Sequence, residues 1–249
     1  MNISVVILTC SQKALTLRCL ESLRDFIAGS GHEVILVDNG STDGTAEAVA
    51  HACPDVRIIR LDHNSGVAAG RNTGLRAATG RHLMILDNDT VVAPGTIEAM
   101  SAYLDSHPDT GVLAPRLVSP DGSVQASFKA YPGIGVKLRN ILRGKSGSSA
   151  AETAPTEPCE PFYVIGAAQI FSRRTYERTG GLDEAIFYGP EDADFCMAVR
   201  ALGLKVVYNP AFTIVHDYQR ATTRRLLSKG ARRHMAALLH FYRKHRRWW

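Results

Sequence analysis

The segment Leu83-Met84-Ile85-Leu86-Asp87-Asn88-Asp89-Thr90 runs four consecutive apolar residues into two acids one residue apart. A short, unbroken apolar run reads as a strand buried on both faces, so the acids fall at its carboxyl end. In an open α/β sheet that is the edge outside which ligands bind. Two carboxylates held this close repel each other unless a cation lies between them, and their hard oxygen atoms select Mg²⁺ or Mn²⁺. Such a cation would bridge to a diphosphate and stabilise charge developing on a leaving group. A solvated turn, favoured by Asp and Asn on their own account, explains the same residues more plainly, so the rest of the chain has to decide.

Working outward, similar apolar runs at Ile3–Leu8, Glu33–Val37 and Val56–Leu61, with a further one near Gly111–Val118, alternate with helix-like spacing at Ala14–Ile27, Thr45–His51, Val67–Ala78 and Thr96–Leu104. This alternation predicts βαβ units and a doubly wound, mainly parallel sheet of the nucleotide-binding type. The pattern breaks down from Pro120 to Pro161, and Arg143–Pro158, rich in Gly, Ser, Ala and Pro, reads as a mobile loop. Structure is expected to resume at Phe162–Phe171, with a helix over Glu191–Leu202, a strand at Lys205–Tyr208 and a basic helix to the end. The expected organisation is one catalytic domain over 1–219, with a nucleotide-binding half at about 1–118, an acceptor half at about 119–219 and a loop at about 143–160. A basic amphipathic helix over 220–249 completes it.

Composition excludes less than the motifs do. With 45% hydrophobic and 21% charged residues among 249, the chain has enough apolar surface for a large core. Its five cysteines are scattered and show no Cys-x-x-Cys pair, which argues against a disulfide framework or a structural zinc and for a reducing cytoplasm. The N-terminal segment turns polar at once and reads as a first strand rather than a signal peptide, and no apolar run reaches the ~20 residues of a membrane span. The net charge of +5 comes from the tail: residues 220–249 hold ten Lys or Arg and no acid, leaving 19 basic against 24 acidic residues elsewhere. Such a tail suits an anionic membrane surface and equally suits a helix packed on the core with a solvated basic face. No nucleic-acid recognition motif accompanies the charge, so no nucleic-acid partner is expected.

Four further segments carry candidate chemistry. In Val37–Thr45, Asp38 follows a strand where a carboxylate can accept hydrogen bonds from a nucleobase or ribose, while Asp43 is placed to cap the next helix. In Asn64–Gly74, small residues at helical spacing allow close backbone approach, and Arg71 is either a phosphate ligand or a surface cation. Phe187–Phe195 opens a helix with Glu191, Asp192 and Asp194; the helix dipole explains some of these acids, and a general base requires one of them. His216, after the strand-like Phe212–Val215, is either a third metal ligand or a structural histidine.

As an ordered set these segments resemble the family 2 glycosyltransferases with the GT-A fold, especially bacterial rhamnosyltransferase-like members. The matching stretches are Val5–Thr9, Val37–Asp43, Asn64–Gly66 with Gly70–Asn72, Asp87–Asp89, Gly166-Ala167, Gly180–Glu184, Glu191–Asp194 and His216. The resemblance implies a Rossmann-like, mixed but mainly parallel sheet flanked by helices, and inverting transfer of a sugar from a UDP-, GDP- or dTDP-sugar to a saccharide or lipid-linked saccharide. It implies Asp192 as general base, and Asp87, Asp89 and His216 at a Mg²⁺ or Mn²⁺ ion. It further implies Thr9, Asp38, Arg71, Asp87 and Asn88 as donor-binding, with Gly181, Asp183 and Glu191 on the acceptor side. Together with the tail, this places the protein in the cytoplasm, peripheral on the inner membrane's cytoplasmic face. Two departures stand out: Cys10-Ser11-Gln12 where many relatives have Tyr-Asn, and Asp217-Tyr218 where Gly-Ser is usual. The competing readings are a sugar nucleotidyltransferase, which should carry a Gly-rich basic loop after the first strand, and a non-catalytic binding module.

Overall fold

Four apolar runs form adjacent parallel strands: β1 (Ile3–Thr9), β2 (His32–Asn39), β3 (Arg57–Leu61) and β4 (His82–Asp87), in the spatial order β3-β2-β1-β4. The computed structural model describes residues 2–29, 31–131, 155–218 and 229–246. Alternate residues of β1 enter different apolar clusters, Ile3, Val5 and Ile7 one and Val6 the other, so helices cover both faces of the sheet. The predicted helix over Ala14–Ile27 is instead two, α1 (Lys13–Ser22) and α2 (Arg24–Ala28), because the chain turns at Leu23 to seat that side chain in the core. Next come α3 (Thr45–Ala52) and α4 (Val67–Ala77). Helix α4 presses on β1 through its glycines: a methyl group at Gly74 would lie 2.4 Å from Val6 Cγ1, and one at Gly70 2.5 Å from Leu8 Cδ1.

Beyond β4 the sheet turns mixed. A two-residue strand β5 (Thr90–Val91), helix α5 (Thr96–Ser106) and β6 (Thr110–Val118) follow. The expected single stretch Phe162–Phe171 is two strands. One, β8 (Tyr163–Val164), pairs with β7 (Phe128–Lys129) in a small separate sheet. The other, β9 (Ala168–Ser172), inserts antiparallel between β4 and β6. Helix α6 (Arg173–Thr179) and helix α7 (Glu191–Ala201) lead to β10 (Lys205–His216), which absorbs both late strand-like segments and shifts register between Asn209 and Thr213, around Pro210. Strand β10 runs parallel to β6, and its last residues pair antiparallel with β5. The result is an eight-stranded sheet, β3-β2-β1-β4-β9-β6-β10-β5.

Most of the expected loop 143–160 lies outside the described residues. Its end is tied to the sheet, since Cys159 and Tyr208 exchange backbone hydrogen bonds of 3.0 and 2.9 Å. Of the basic tail, α8 (Lys229–His245) is described. Its Leu238, Phe241 and Tyr242 belong to one of the two core clusters, so this helix packs on the body of the protein. Among the described residues no helix is long and apolar enough to cross a membrane.

Candidate active site

The loops leaving β1 and β2 are stitched together before any ligand arrives. Ser11 N–H donates to Ser41 Oγ at 2.8 Å, Thr42 N–H to Ser11 Oγ at 3.1 Å, and Lys13 N–H to Asp43 Oδ2 at 3.1 Å. Asp38 is 5% exposed and accepts the Ser41 N–H at 2.9 Å; Asp43, expected to cap α3, lies one residue before its N-cap, Gly44, and accepts the Thr45 N–H instead. Thr9 and Asn88 turn inward. Asn88 Nδ2 donates to the hydroxyls of Thr9 and Thr16 at 3.2 and 3.0 Å, and those hydroxyls lie 2.8 Å apart. These two side chains, expected at the donor, are tied to each other and to Thr16. This tie anchors the middle of Asp87-Asn88-Asp89, whose flanking acids stay partly exposed.

The pairing of β5 with β10 brings His216 to that same edge, opposite Thr90, and Asp217 N–H donates to the Asp89 carbonyl at 2.8 Å. Gln125 then fixes the imidazole. Its Nε2 donates to the His216 carbonyl at 2.7 Å, which turns Oε1 toward His216 Nδ1 at 2.8 Å, so the amide orientation that satisfies both groups puts the ring proton on Nδ1. In the neutral ring the Nε2 lone pair faces Asp89 Oδ1 at 3.3 Å. Burial disfavours the charged ring but is outweighed by the hydrogen bond and charge of Asp89 and the charges of Asp87 and Asp217, so the His216 pKa is raised. One ligand atom from each of Asp87, Asp89 and His216 lies within 4.8 Å of the others. While the His216 ring is neutral, the buried Asp89 Oδ1 has no hydrogen-bond donor among the described residues; only the protonated ring would supply one. An unmatched buried acceptor costs stability, and a divalent cation among two carboxylates and an imidazole relieves it, so this O/O/N set fits Mg²⁺ or Mn²⁺.

Arg71 links this cluster to the next. The side chain is 6% exposed; its Nη2 donates to Asp87 Oδ1 at 2.6 Å and to the Gly166 carbonyl at 2.8 Å, and Nη1 lies 3.7 Å from Glu191 Oε1. A methyl group at Gly166 would sit 2.4 Å from Nη1, so the guanidinium occupies room that only a glycine leaves. Arg71 is thus not a surface cation; its guanidinium bridges Asp87 and Glu191.

At the start of α7, Glu191 Oε2 accepts Gly189 N–H at 2.8 Å and Asp192 Oδ1 accepts Ala193 N–H at 2.7 Å. Burial raises the Glu191 pKa and the charge of Asp192 adds to it, against the pull of Arg71. Burial also raises Asp192, opposed by the Ala193 N–H and by the charges of Lys129 and Arg71. A carboxylate pair lifted above its ordinary range is suited to taking up a proton near neutrality. The preceding loop abuts the N-terminal half: Phe187 O accepts Val67 N–H at 2.8 Å, and a side chain at Gly66 would collide with that oxygen.

Gly181 and Asp183 face packed structure rather than open cleft. Gly181 sits against Asn72, whose side chain exchanges hydrogen bonds of 2.8 and 3.0 Å with the Leu182 backbone. Asp183 Oδ2 lies 2.7 Å from Lys244 Nζ and 2.9 Å from His240 Nε2. Asp194, 2% exposed, meets Lys244 at 2.9 Å and His245 at 2.7 Å. The residues that motif reading overlooked are Gln125, Lys129 and the glycine role at 166. Gln125 and Lys129 lie in the stretch without periodicity.

The Glycosyl transferase family 2 model matches residues 4–178. The N-acetylglucosaminyl-diphospho-decaprenol L-rhamnosyltransferase of Mycobacterium tuberculosis is 28% identical over 235 residues, covering 87% of this chain and 76% of that protein. The dTDP-rhamnosyl transferase RfbF of Shigella flexneri is 25% identical over 218 residues, 86% of this chain and 69% of the relative. The mannosyltransferase PcManGT from Pyrobaculum calidifontis, solved with GDP-Man and Mn²⁺, superposes with a TM-score of 0.60 at 23% identity over 89% of this chain; the chain spans 58% of its length. That likeness establishes the GT-A fold. With the family model spanning well over half of the sequence, the chain belongs to the family 2 glycosyltransferases.

Proposed function

We propose that the enzyme moves a sugar, with inversion, from a nucleoside diphosphate to a hydroxyl of a lipid-linked saccharide, and that it does so at the cytoplasmic face of a membrane. The nucleoside lies over the cross-linked loops after β1 and β2, beside Asp38. Asp87, Asp89 and His216 would hold Mg²⁺ or Mn²⁺, which when bound neutralises the diphosphate and stabilises its charge as it departs. Asp192 accepts the proton of the attacking hydroxyl, and a single displacement inverts the anomeric carbon without a covalent intermediate. Glu191 shares the buried charge with Asp192, and Arg71 keeps both within reach of a positive neighbour. The rhamnosyl relatives favour a dTDP-sugar as donor and a diphospho-linked lipid as acceptor.

The single observation that carries this reading is the buried acceptor Asp89 Oδ1 facing His216 and Asp87, with buried Glu191, next to half-buried Asp192, one arginine away. A binding module without catalysis would have no use for the second pair. The test is a melting-temperature series of the intact chain with dTDP, UDP and GDP, each with and without Mn²⁺, alongside Asp89→Asn. A ligand confined to the folded state raises Tm. At least one nucleotide should do so only with the metal, and the substitution should abolish the rise. If no nucleotide raises Tm with either Mn²⁺ or Mg²⁺, the reading is wrong.

A further inference from the structure

Helix α8 has two working faces. Its inner face carries Leu238 and Phe241 into the core and ties Lys244 and His245 to Asp194. It also grips the loop that leads into Glu191 and Asp192. Arg233 lies 4.0 Å over the Phe187 ring, and a side chain at Gly189 would run into His234. The outer face shows Arg232, Met235, Leu239 and Arg243, all exposed and spaced to fall on one stripe of a helix. Among the described residues the exposed large hydrophobics are Tyr188, Tyr218, Met235 and Leu239, at 56%, 58%, 60% and 40%. Met235 and Leu239 lie on α8, and Tyr188 and Tyr218 lie within three residues of Glu191 and His216 of the candidate site. Tyr188 is in the loop held by His234, with ring centroids 6.2 Å apart, and Tyr218 stands 5.6 Å from the His216 ring.

We infer that this surface is a docking site for an anionic lipid headgroup layer, which α8 enters lying flat, so that the base-bearing side of the cleft opens onto the bilayer. The charge complements that partner: arginines flank the two apolar side chains of the stripe, and the tail of ten cations contains no acid to oppose them. Aromatic rings with a polar tip at the rim match the headgroup level. Because the inner face is locked to Asp183 and Asp194, α8 is a fixed platform and not a detachable tether. Docking thus sets the orientation of the whole cleft. The inference builds on the proposed transfer to a lipid-linked acceptor, but it is read by vesicle binding, which does not depend on turnover.

The experiment is sedimentation of the full chain with vesicles of equal parts phosphatidylglycerol and phosphatidylcholine, and with phosphatidylcholine alone. The protein should partition to the anionic vesicles and leave them as salt is raised. Arg232→Glu with Arg243→Glu should weaken partition about tenfold or more, and Met235→Ser with Leu239→Ser should weaken it at all salt concentrations. Both variants should keep the melting temperature and the metal-dependent nucleotide response of the parent, which separates a failed surface from a failed site. Equal binding to neutral and anionic vesicles, parent-like binding by both variants, or binding to an oligonucleotide with none to vesicles would each overturn the inference.

Discussion

Asp87 and Asp89 form a rim pair at the end of a strand, with side chains 34% and 13% exposed, whereas Glu191 and Asp192 form an inner pair that opens a helix, with the Glu191 side chain 9% exposed. Both pairs are acids a residue or less apart, and both reach the same arginine. The rim pair has water, a histidine and the positive end of Arg71 for company. The inner pair has mutual repulsion and little solvent, and its pKa values rise. Under the proposed mechanism carboxylates serve two purposes, holding charge at the rim and taking up a proton inside. Environment, not identity, assigns the work.

The largest effect should come from removing the proton acceptor. Asp192→Asn is expected to lower kcat by about 10²–10⁴-fold while nucleotide binding, measured by the metal-dependent Tm rise, persists. Under the proposed mechanism Asp192 works only when deprotonated. Since burial raises its pKa, activity should fall away on the acid side at a pH above the ordinary carboxylate range. A pH–rate profile with its acid limb at an unperturbed aspartate value would remove the distinction between the two pairs.

Arg71→Met tests whether the pairs are joined. The guanidinium lowers the pKa of both inner acids, so its loss should push the acid limb of the pH–rate profile to still higher pH. It also leaves Asp87 and Glu191 without their shared cation. That should cost roughly 3 kcal/mol in urea denaturation, the low end for a broken buried pair because Asp87 keeps some solvent. An unmoved acid limb would mean that the two ends act independently.

The halves of the molecule differ in how far their sequence can be read. In the N-terminal half β1, β2 and β4 each contain an unbroken four-residue apolar run closed by a polar residue, so they appear within a residue or two of where periodicity puts them. Leu23 fits a helical period and hides the break between α1 and α2. The reversed strand β9 is illegible for another reason: its partners β4 and β6 lie far away in the chain, and nothing local announces an antiparallel insertion. The site repeats this pattern. Asp87, Asp89, Asp192 and His216 were visible as residue types in suggestive places. The inward turn of Arg71 depends on Gly166, 95 residues away, and the aim of His216 on Gln125, 91 residues away. Pairings at that distance belong to the fold.

The smallest effect is expected at the edge of the comparison, where a third acid neither binds a metal nor takes a proton. Asp183 is held at about 2: burial raises its pKa, and the bonds to Lys244, His240 and the Ala185 N–H more than reverse that. A folded-state value below the unfolded value of about 3.8 means that the folded protein resists protonation. The contribution to stability is therefore complete above that unfolded value and fades as pH falls toward 2. With the side chain 19% exposed, the full shift overstates it, and about 1–2 kcal/mol is a fair expectation. Asp183→Asn should be less stable by that amount at neutral pH, with the two urea midpoints converging as the pH is lowered. Lys244 keeps Asp194 as a partner in the variant, so no buried cation is stranded. A midpoint difference that stayed constant down to pH 2 would show that Asp183 acts through packing and not through its charge.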